Sequence, residues 1–199
     1  MKAFKDYETT KSYTEVPKLP KGGYVVKILA VEIAQYASGD CLKLSCDIVE
    51  GEYSRFFRQR YDASTKEDKA WPCNLLLNIP TDDGSERDGW TKRRFKTAIE
   101  AVEESNEGFH WDWDERKLRG MIAGGLFNER EYEYNGEIRK ATNLAALCPV
   151  ELVRSGKYTL PKDRLLNRTA ESDPFDNPAA RTGFVNIPDG VDDDALPFA

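Results

Sequence analysis

The 199-residue chain has one histidine, His110, only two methionines, and no run of 18 consecutive apolar residues. Its first segment, Met1–Tyr13 (MKAFKDYETTKSY), has no apolar block of signal-peptide type. A membrane-spanning helix and a secretory leader are therefore not expected, and the chain reads as soluble and intracellular, with no membrane partner. Cys41, Cys46, Cys73 and Cys148 stand at irregular spacings without a CxxC pair. With a single imidazole available, that pattern argues against a thiolate and imidazole zinc site. It also argues against a nucleophile activated by histidine. No metal or cofactor is expected, and His110 reads as a partly exposed polar residue.

Charge is unevenly placed. From Glu171 onward there are seven acids (Glu171, Asp173, Asp176, Asp189, Asp192, Asp193, Asp194) against Arg181 alone. Of totals of 35 acids and 29 bases, 28 of each therefore remain in residues 1–170. The net charge of −6 belongs to a tail. Apolar periodicity stops after Leu166, and Pro174, Pro178, Pro188 and Pro197 follow, a composition that predicts disorder from about residue 170. The tip, Asp192-Asp193-Asp194-Ala195-Leu196-Pro197-Phe198-Ala199, has the form of a docking peptide, with acids to steer toward a basic groove and a ring to fill a pocket. A purely solubilising tail is the alternative. The expected division is an extension over 1–18, a binding domain over 19–168 and an acidic tail over 169–199.

The body reads as strands with one main helix. Tyr24–Ile33 is rich in β-branched residues, and in Cys41–Val49 the residues Leu42, Leu44, Cys46 and Ile48 alternate with Lys43, Ser45 and Asp47. That alternation puts Cys41 and Cys46 on opposite faces. Tyr53–Tyr61 (YSRFFRQRY) is expected as a third strand that completes a meander. Phe95, Ala98, Ile99 and Val102 form an i, i+3, i+4, i+7 stripe, predicting a helix over about 90–104 capped by Asp88 or Thr91. Leu118–Tyr134 and Glu137–Val153 follow as paired strands joined at Asn135-Gly136, the preferred type I′ hairpin turn. Three strands, a helix and two strands is the order of the OB-fold, a five-stranded Greek-key barrel.

Candidate contacts to single-stranded nucleic acid come from aromatic rings interleaved with cations, since rings stack on bases and cations neutralise phosphates. On the expected third strand these are Tyr53, Arg55, Phe57, Arg58, Arg60 and Tyr61, with either Phe56 or Phe57 pointing inward; Lys43 lies on the strand before. In the hairpin, Tyr134 should face Glu137, Tyr132 should face Arg139 and Arg130 should face Ala141, which gathers Arg130, Tyr132, Tyr134 and Arg139 on one face. Trp71 follows Lys66 and Lys69. Lys92 and Arg93, with Arg94 and Lys96, crowd the first turns of the expected helix, against its macrodipole, which suggests an anion-binding end unless the preceding acids neutralise it. Trp111 and Trp113, among Asp112, Asp114 and Glu115, are expected to pack.

Leu19-Pro20-x-Gly22-Gly23-Tyr24-Val25-Val26-Lys27-Ile28, then Ile48-Val49-Glu50-Gly51-Glu52-Tyr53, then Tyr134-Asn135-Gly136, resembles the phage- and prophage-encoded single-stranded DNA-binding proteins of OB type. Asp192-Asp193-Asp194-x-Leu196-Pro197-Phe198 is similar to the acidic tip of bacterial single-stranded DNA-binding proteins, though here Ala199 follows the ring and Ala195 lengthens the spacing. The resemblance implies a non-enzymatic protein, cytoplasmic in a bacterial host, that coats single-stranded DNA. It also implies that the tip recruits replication and recombination proteins through Asp192, Asp193, Asp194, Leu196, Pro197 and Phe198. Homo-oligomerisation stays open. The competing expectations are a metal-dependent nuclease and a phage adaptor whose barrel binds protein.

Overall fold

A computed structural model describes residues 17–37 and 39–166. Residues 1–16 of the extension expected over 1–18, and the acidic tail with its tip, lie outside the described residues. Five strands, β1 (Gly22–Tyr36), β2 (Gly39–Ile48), β3 (Asn74–Asn78), β4 (Ile122–Tyr134) and β5 (Glu137–Cys148), form one antiparallel sheet in the order β3-β2-β1-β4-β5. Three helices accompany them: α1 (Phe56–Ala63), α2 (Glu86–Ser105) and α3 (Val150–Ser155). Among the described residues no ladder joins β3 to β5, so the sheet is not closed. Helix α2 packs on β3, β4 and β5 instead. None of the described helices is long and apolar enough to cross a membrane.

The alternation expected in β2 holds, with Leu42, Leu44, Cys46 and Ile48 buried beside half-exposed Lys43 and Ser45. These side chains join Val26, Ile28, Leu75, Leu77 and Phe127 in one core, which α2 covers with Ala98, Ile99 and Val102. All four cysteines are free and buried, and burial pushes the Cys46 thiol up to about 12 and the Cys148 thiol to about 11. Such thiols are poor nucleophiles at neutral pH.

Tyr53–Tyr61 is not the third strand. The chain turns at Gly51, passes through Arg55 in the left-handed region (φ 61°), and enters α1 at Phe56. The cause lies in Asp47, on β2 but buried at 5% exposure. Its carboxylate accepts the N–H groups of Ile48 (2.9 Å), Phe57 (3.1 Å) and Arg58 (3.2 Å), two of them in the first turn of α1 that a strand would have presented to a neighbour. Burial, the largest influence, holds this carboxyl above its ordinary pKa, although those bonds and the Arg58 charge oppose it. Phe57 is the inward ring, stacked on Phe127 at 5.9 Å between centroids, while Phe56 meets it edge-on at 5.2 Å. The true third strand is Asn74–Asn78 (NLLLN), within what reads by sequence as a long connection.

Other boundaries move for local reasons. Helix α2 starts at Glu86 because the Ser85 side chain accepts the Asp88 N–H, so neither Asp88 nor Thr91 is the cap. Its first turn then carries Glu86 and Asp88 with Arg87, a net acidic turn that suits the macrodipole, and Lys92, Arg93, Arg94 and Lys96 fall beyond it. Strand β4 begins at Ile122 rather than Leu118, which is buried in a short 3-10 turn (Glu115–Leu118). Strand β5 ends at Cys148, since Pro149 caps α3. The hairpin turn is as expected, with Asn135 at φ 53° and Gly136 at φ 75°.

After α3 a strap, residues 157–166, crosses the sheet. A Cβ at Gly124 would lie 2.7 Å from Val153 of α3, and one at Gly23 would lie 2.8 Å from the Tyr158 ring, so the two glycines admit these close approaches. Beyond the start of β1 the strap pairs with β4. Arg164 N–H donates to Glu129 O and Glu131 N–H to Arg164 O, each at 2.8 Å. Asp163 accepts the Glu129 N–H at 2.9 Å and pairs with Lys21 at 2.8 Å.

Replacing Asp47 by Ala leaves buried donors at the start of α1 without their acceptor and should cost about 1–3 kcal/mol, read as a lower urea midpoint. Asp47→Asn, which keeps one acceptor oxygen, should lose less.

Candidate functional site

Strand pairing sets which residues meet. Val26 of β1 pairs with both Ile48 at the end of β2 and Ala123 near the start of β4. The chain therefore leaves β2 for α1 at the same end of the sheet where β1 begins, and β4 runs past that end from Phe127 to Tyr134. Helix α1, the segment that enters β3, and the β4–β5 hairpin all gather there, opposite the β1–β2 turn. Rings fasten them together: Tyr24 meets Tyr53 at 5.7 Å and Phe127 at 5.5 Å, both edge-on, and Phe57 stacks on Phe127. Edge-on and offset contacts of this kind contribute about 0.5–1.5 kcal/mol each beyond burial.

Two clusters of rings and cations occupy this end. In the first, Tyr61 of α1 lies 5.3 Å from Trp71, with Arg58 over the Trp71 ring at 5.7 Å and Lys69 over the Tyr61 ring at 5.6 Å. Trp71 is fixed by its Nε1–H, which donates to Cys46 O at 2.8 Å, and by Asn74 Nδ2, which donates to Trp71 O at 2.7 Å. Arg58, Arg60 and Lys69 are exposed. The second cluster is the hairpin. Its register is the expected one, with Arg130 opposite Ala141, Tyr132 opposite Arg139 and Tyr134 opposite Glu137. Arg139 sits 4.8 Å over the Tyr134 ring, which is 53% exposed, and pairs with Glu137 at 3.0 Å. Both clusters place aromatic rings beside exposed positive charge, a chemistry suited to planar, anionic ligands.

The remaining candidates are placed differently. Phe57 is core, and Tyr53 is half-buried in the aromatic ladder, edge-on to Tyr24 and Phe56. Arg55 is exposed at the turn before α1. Lys43 lies in mid-β2, paired with Glu32 at 2.5 Å, away from both clusters. Lys92 is bound by Asp82 (2.5 Å) and Asp88 (2.8 Å), which raise its pKa and neutralise it locally. Arg93 is exposed on that helix. Trp111 packs partly against the core as expected, whereas Trp113 is 79% exposed, beside Trp111 at 6.0 Å. His110 is exposed, with Nδ1 2.7 Å from Glu103. Among the described residues no group of His, Cys, Asp and Glu is arranged to hold a metal ion.

Sequence reading did not select Lys69, although its position two residues before Trp71 was the available signal.

Tyr134→Ala and Arg139→Ala should each change the unfolding free energy by no more than about 0.5 kcal/mol, because both side chains are solvent-facing. Trp71→Ala should cost more, about 1–3 kcal/mol, through loss of packing and of its bond to Cys46 O. Chemical denaturation of the three variants checks the contrast. No protein-family model matches the chain, and no curated protein matches it.

Proposed function

We propose that the chain is a non-enzymatic protein that binds and coats single-stranded DNA, and that its acidic C-terminal tip recruits replication and recombination proteins. The observation that carries the reading is the pairing of rings with cations at one end of the sheet: Arg139 on exposed Tyr134, and Arg58 and Lys69 on half-buried Trp71 and Tyr61. Stacking contributes about 1–3 kcal/mol per base and tolerates any sequence, and cations beside the rings meet the phosphates. The strand order β3-β2-β1-β4-β5, with α2 between β3 and β4 and lying on the edges of β3 and β5, supports assignment to the OB-fold, a partly open barrel of this kind. The β4–β5 hairpin is then one of the two loops with which such barrels grip oligonucleotides. Trp71 and α1 take over the role first expected of a third strand.

Titration of the full chain with unstructured oligothymidine, followed by tryptophan fluorescence, tests the reading. Saturable quenching is expected, stronger with the single strand than with duplex and weakening steeply as salt rises. Tyr134→Ala should weaken binding about tenfold, the equivalent of 1.4 kcal/mol. Absence of quenching at low salt contradicts the proposal, and degradation of the oligonucleotide on adding a divalent metal would favour a nuclease instead.

A further inference from the structure

One ring on the surface is explained neither by packing nor by the proposed nucleic-acid surface. Trp113, in the connection between α2 and the 3-10 turn, is 79% exposed, more than any other large apolar side chain among the described residues. Its backbone lies in the left-handed region at φ 68°, where a bulky residue is rarely found because its Cβ crowds the chain. Neighbouring contacts hold it there. The Trp111 N–H donates to Glu103 Oε1 at 2.8 Å, Asp112 pairs with Lys117, and Asp114 accepts the Arg116 N–H at 3.2 Å while pairing with the Arg116 side chain at 2.9 Å. Trp111, packed against the core, lies 6.0 Å from Trp113 and meets Phe95 of α2 at 6.5 Å. Trp113 is thus an open ring on a held turn.

The charge along this turn is of one sign. Positions 103–115 hold six acids, Glu103, Glu104, Glu107, Asp112, Asp114 and Glu115, and no lysine or arginine. Asp112 and Asp114 are matched by Lys117 and Arg116, and Glu103 lies against His110, whereas Glu104, Glu107 and Glu115 have no ion pair among the described residues. Such a surface repels phosphates. It also repels a second copy of itself across a two-fold axis, where the same acids would face one another. A cation is attracted, and tryptophan is the best of the aromatic side chains at holding a cation on its face. Tryptophan is also among the residues that dominate the energetics of protein interfaces.

We propose that Trp113 is a docking anchor for a basic segment of a partner protein, whose arginine or lysine side chain lies on the Trp113 ring. Charge complementarity selects this occupant: the ring supplies the face, and the unpaired Glu104, Glu107 and Glu115 steer the cations that flank the one on the ring. The anchor shares no residue with the ring clusters of α1 and the hairpin, and it stands whether or not the chain binds DNA.

Isothermal titration calorimetry of full-length wild type, Trp113→Ala and Trp113→Tyr tests the proposal at low salt. The probe is the peptide acetyl-Gly-Arg-Gly-Arg-Gly-amide, beside the same peptide with citrulline, the uncharged analogue, in place of arginine. The acidic tail is the same in every variant, so a difference between variants reports on the turn. Wild type should bind the arginine peptide about fivefold more tightly than Trp113→Ala does, with Trp113→Tyr between them and no such difference for the citrulline peptide. Trp113→Gly, which removes the Cβ from a left-handed position, should lose the same affinity while melting no lower than wild type, and it carries the test should Trp113→Ala be unstable. Equal affinity of wild type and these two variants for the arginine peptide, or no binding by wild type, overturns the proposal. A preference that survives the change to citrulline overturns it as well, since charge is then not what is recognised. Oligothymidine should bind wild type and Trp113→Ala alike; a loss in Trp113→Ala gives the ring to a nucleic-acid base instead. Sedimentation showing a wild-type dimer that Trp113→Ala dissociates gives it to a second copy, and either result overturns the assignment.

Discussion

The grip of Asp47 on the start of α1 is the contact on which the rest of this molecule depends. A carboxylate buried in the last turnings of a strand would destabilise the fold unless its oxygens were filled, and three backbone N–H groups fill them. In doing so they fix where the helix begins and drive Phe57 inward onto Phe127. With Phe57 anchored, Tyr61 one turn further on lies beside Trp71, and Arg58 faces outward over it. The segment that follows then returns along β2 as β3, with Trp71 held to Cys46 O. One buried charge therefore sets both the edge of the sheet and the ring cluster beside it.

The parts of the fold that were legible in the sequence are those dictated by short-range pattern. The alternation of Leu42, Leu44, Cys46 and Ile48, the stripe of Phe95, Ala98, Ile99 and Val102, and the Asn135-Gly136 turn each encode their geometry within a few residues. The hairpin face followed from the turn alone, because a two-residue loop fixes every cross-strand pair. Tyr53–Tyr61 misled because aromatic and arginine residues suit a half-buried strand, and only Asp47, several positions away, makes a helix the better arrangement. Asn74–Asn78 was hidden for the opposite reason: five residues give too little alternation to stand out, and the strand exists because β2 offers an edge. Ser85 went unnoticed as a cap since the apolar stripe it serves begins two turns later.

The candidate site was legible in its chemistry and not in its assembly. Ring and cation types were evident from composition along the chain, whereas their gathering at one end of the sheet follows from the register shared by β1, β2 and β4. That register also explains which candidates drop away. Lys43 points from the middle of β2 toward Glu32, and Lys92 is held between Asp82 and Asp88. Charge on this surface is sorted by neighbours: Lys43 and Lys92 are held by acids, Arg58 and Lys69 lie over rings with no ion pair among the described residues, and Arg139 lies over Tyr134 while pairing with Glu137.

The proposed binding surface lies at the end of the sheet shared by α1 and the β4–β5 hairpin. Photo-crosslinking of the full chain to oligothymidine substituted with 5-bromodeoxyuridine, followed by mass spectrometry of the peptides, tests it directly. Adducts are predicted on Tyr61, Trp71, Tyr132 or Tyr134, all at the end of the sheet shared by α1 and the β4–β5 hairpin. Adducts confined to Tyr36 at the opposite end, or to Trp113, would contradict it.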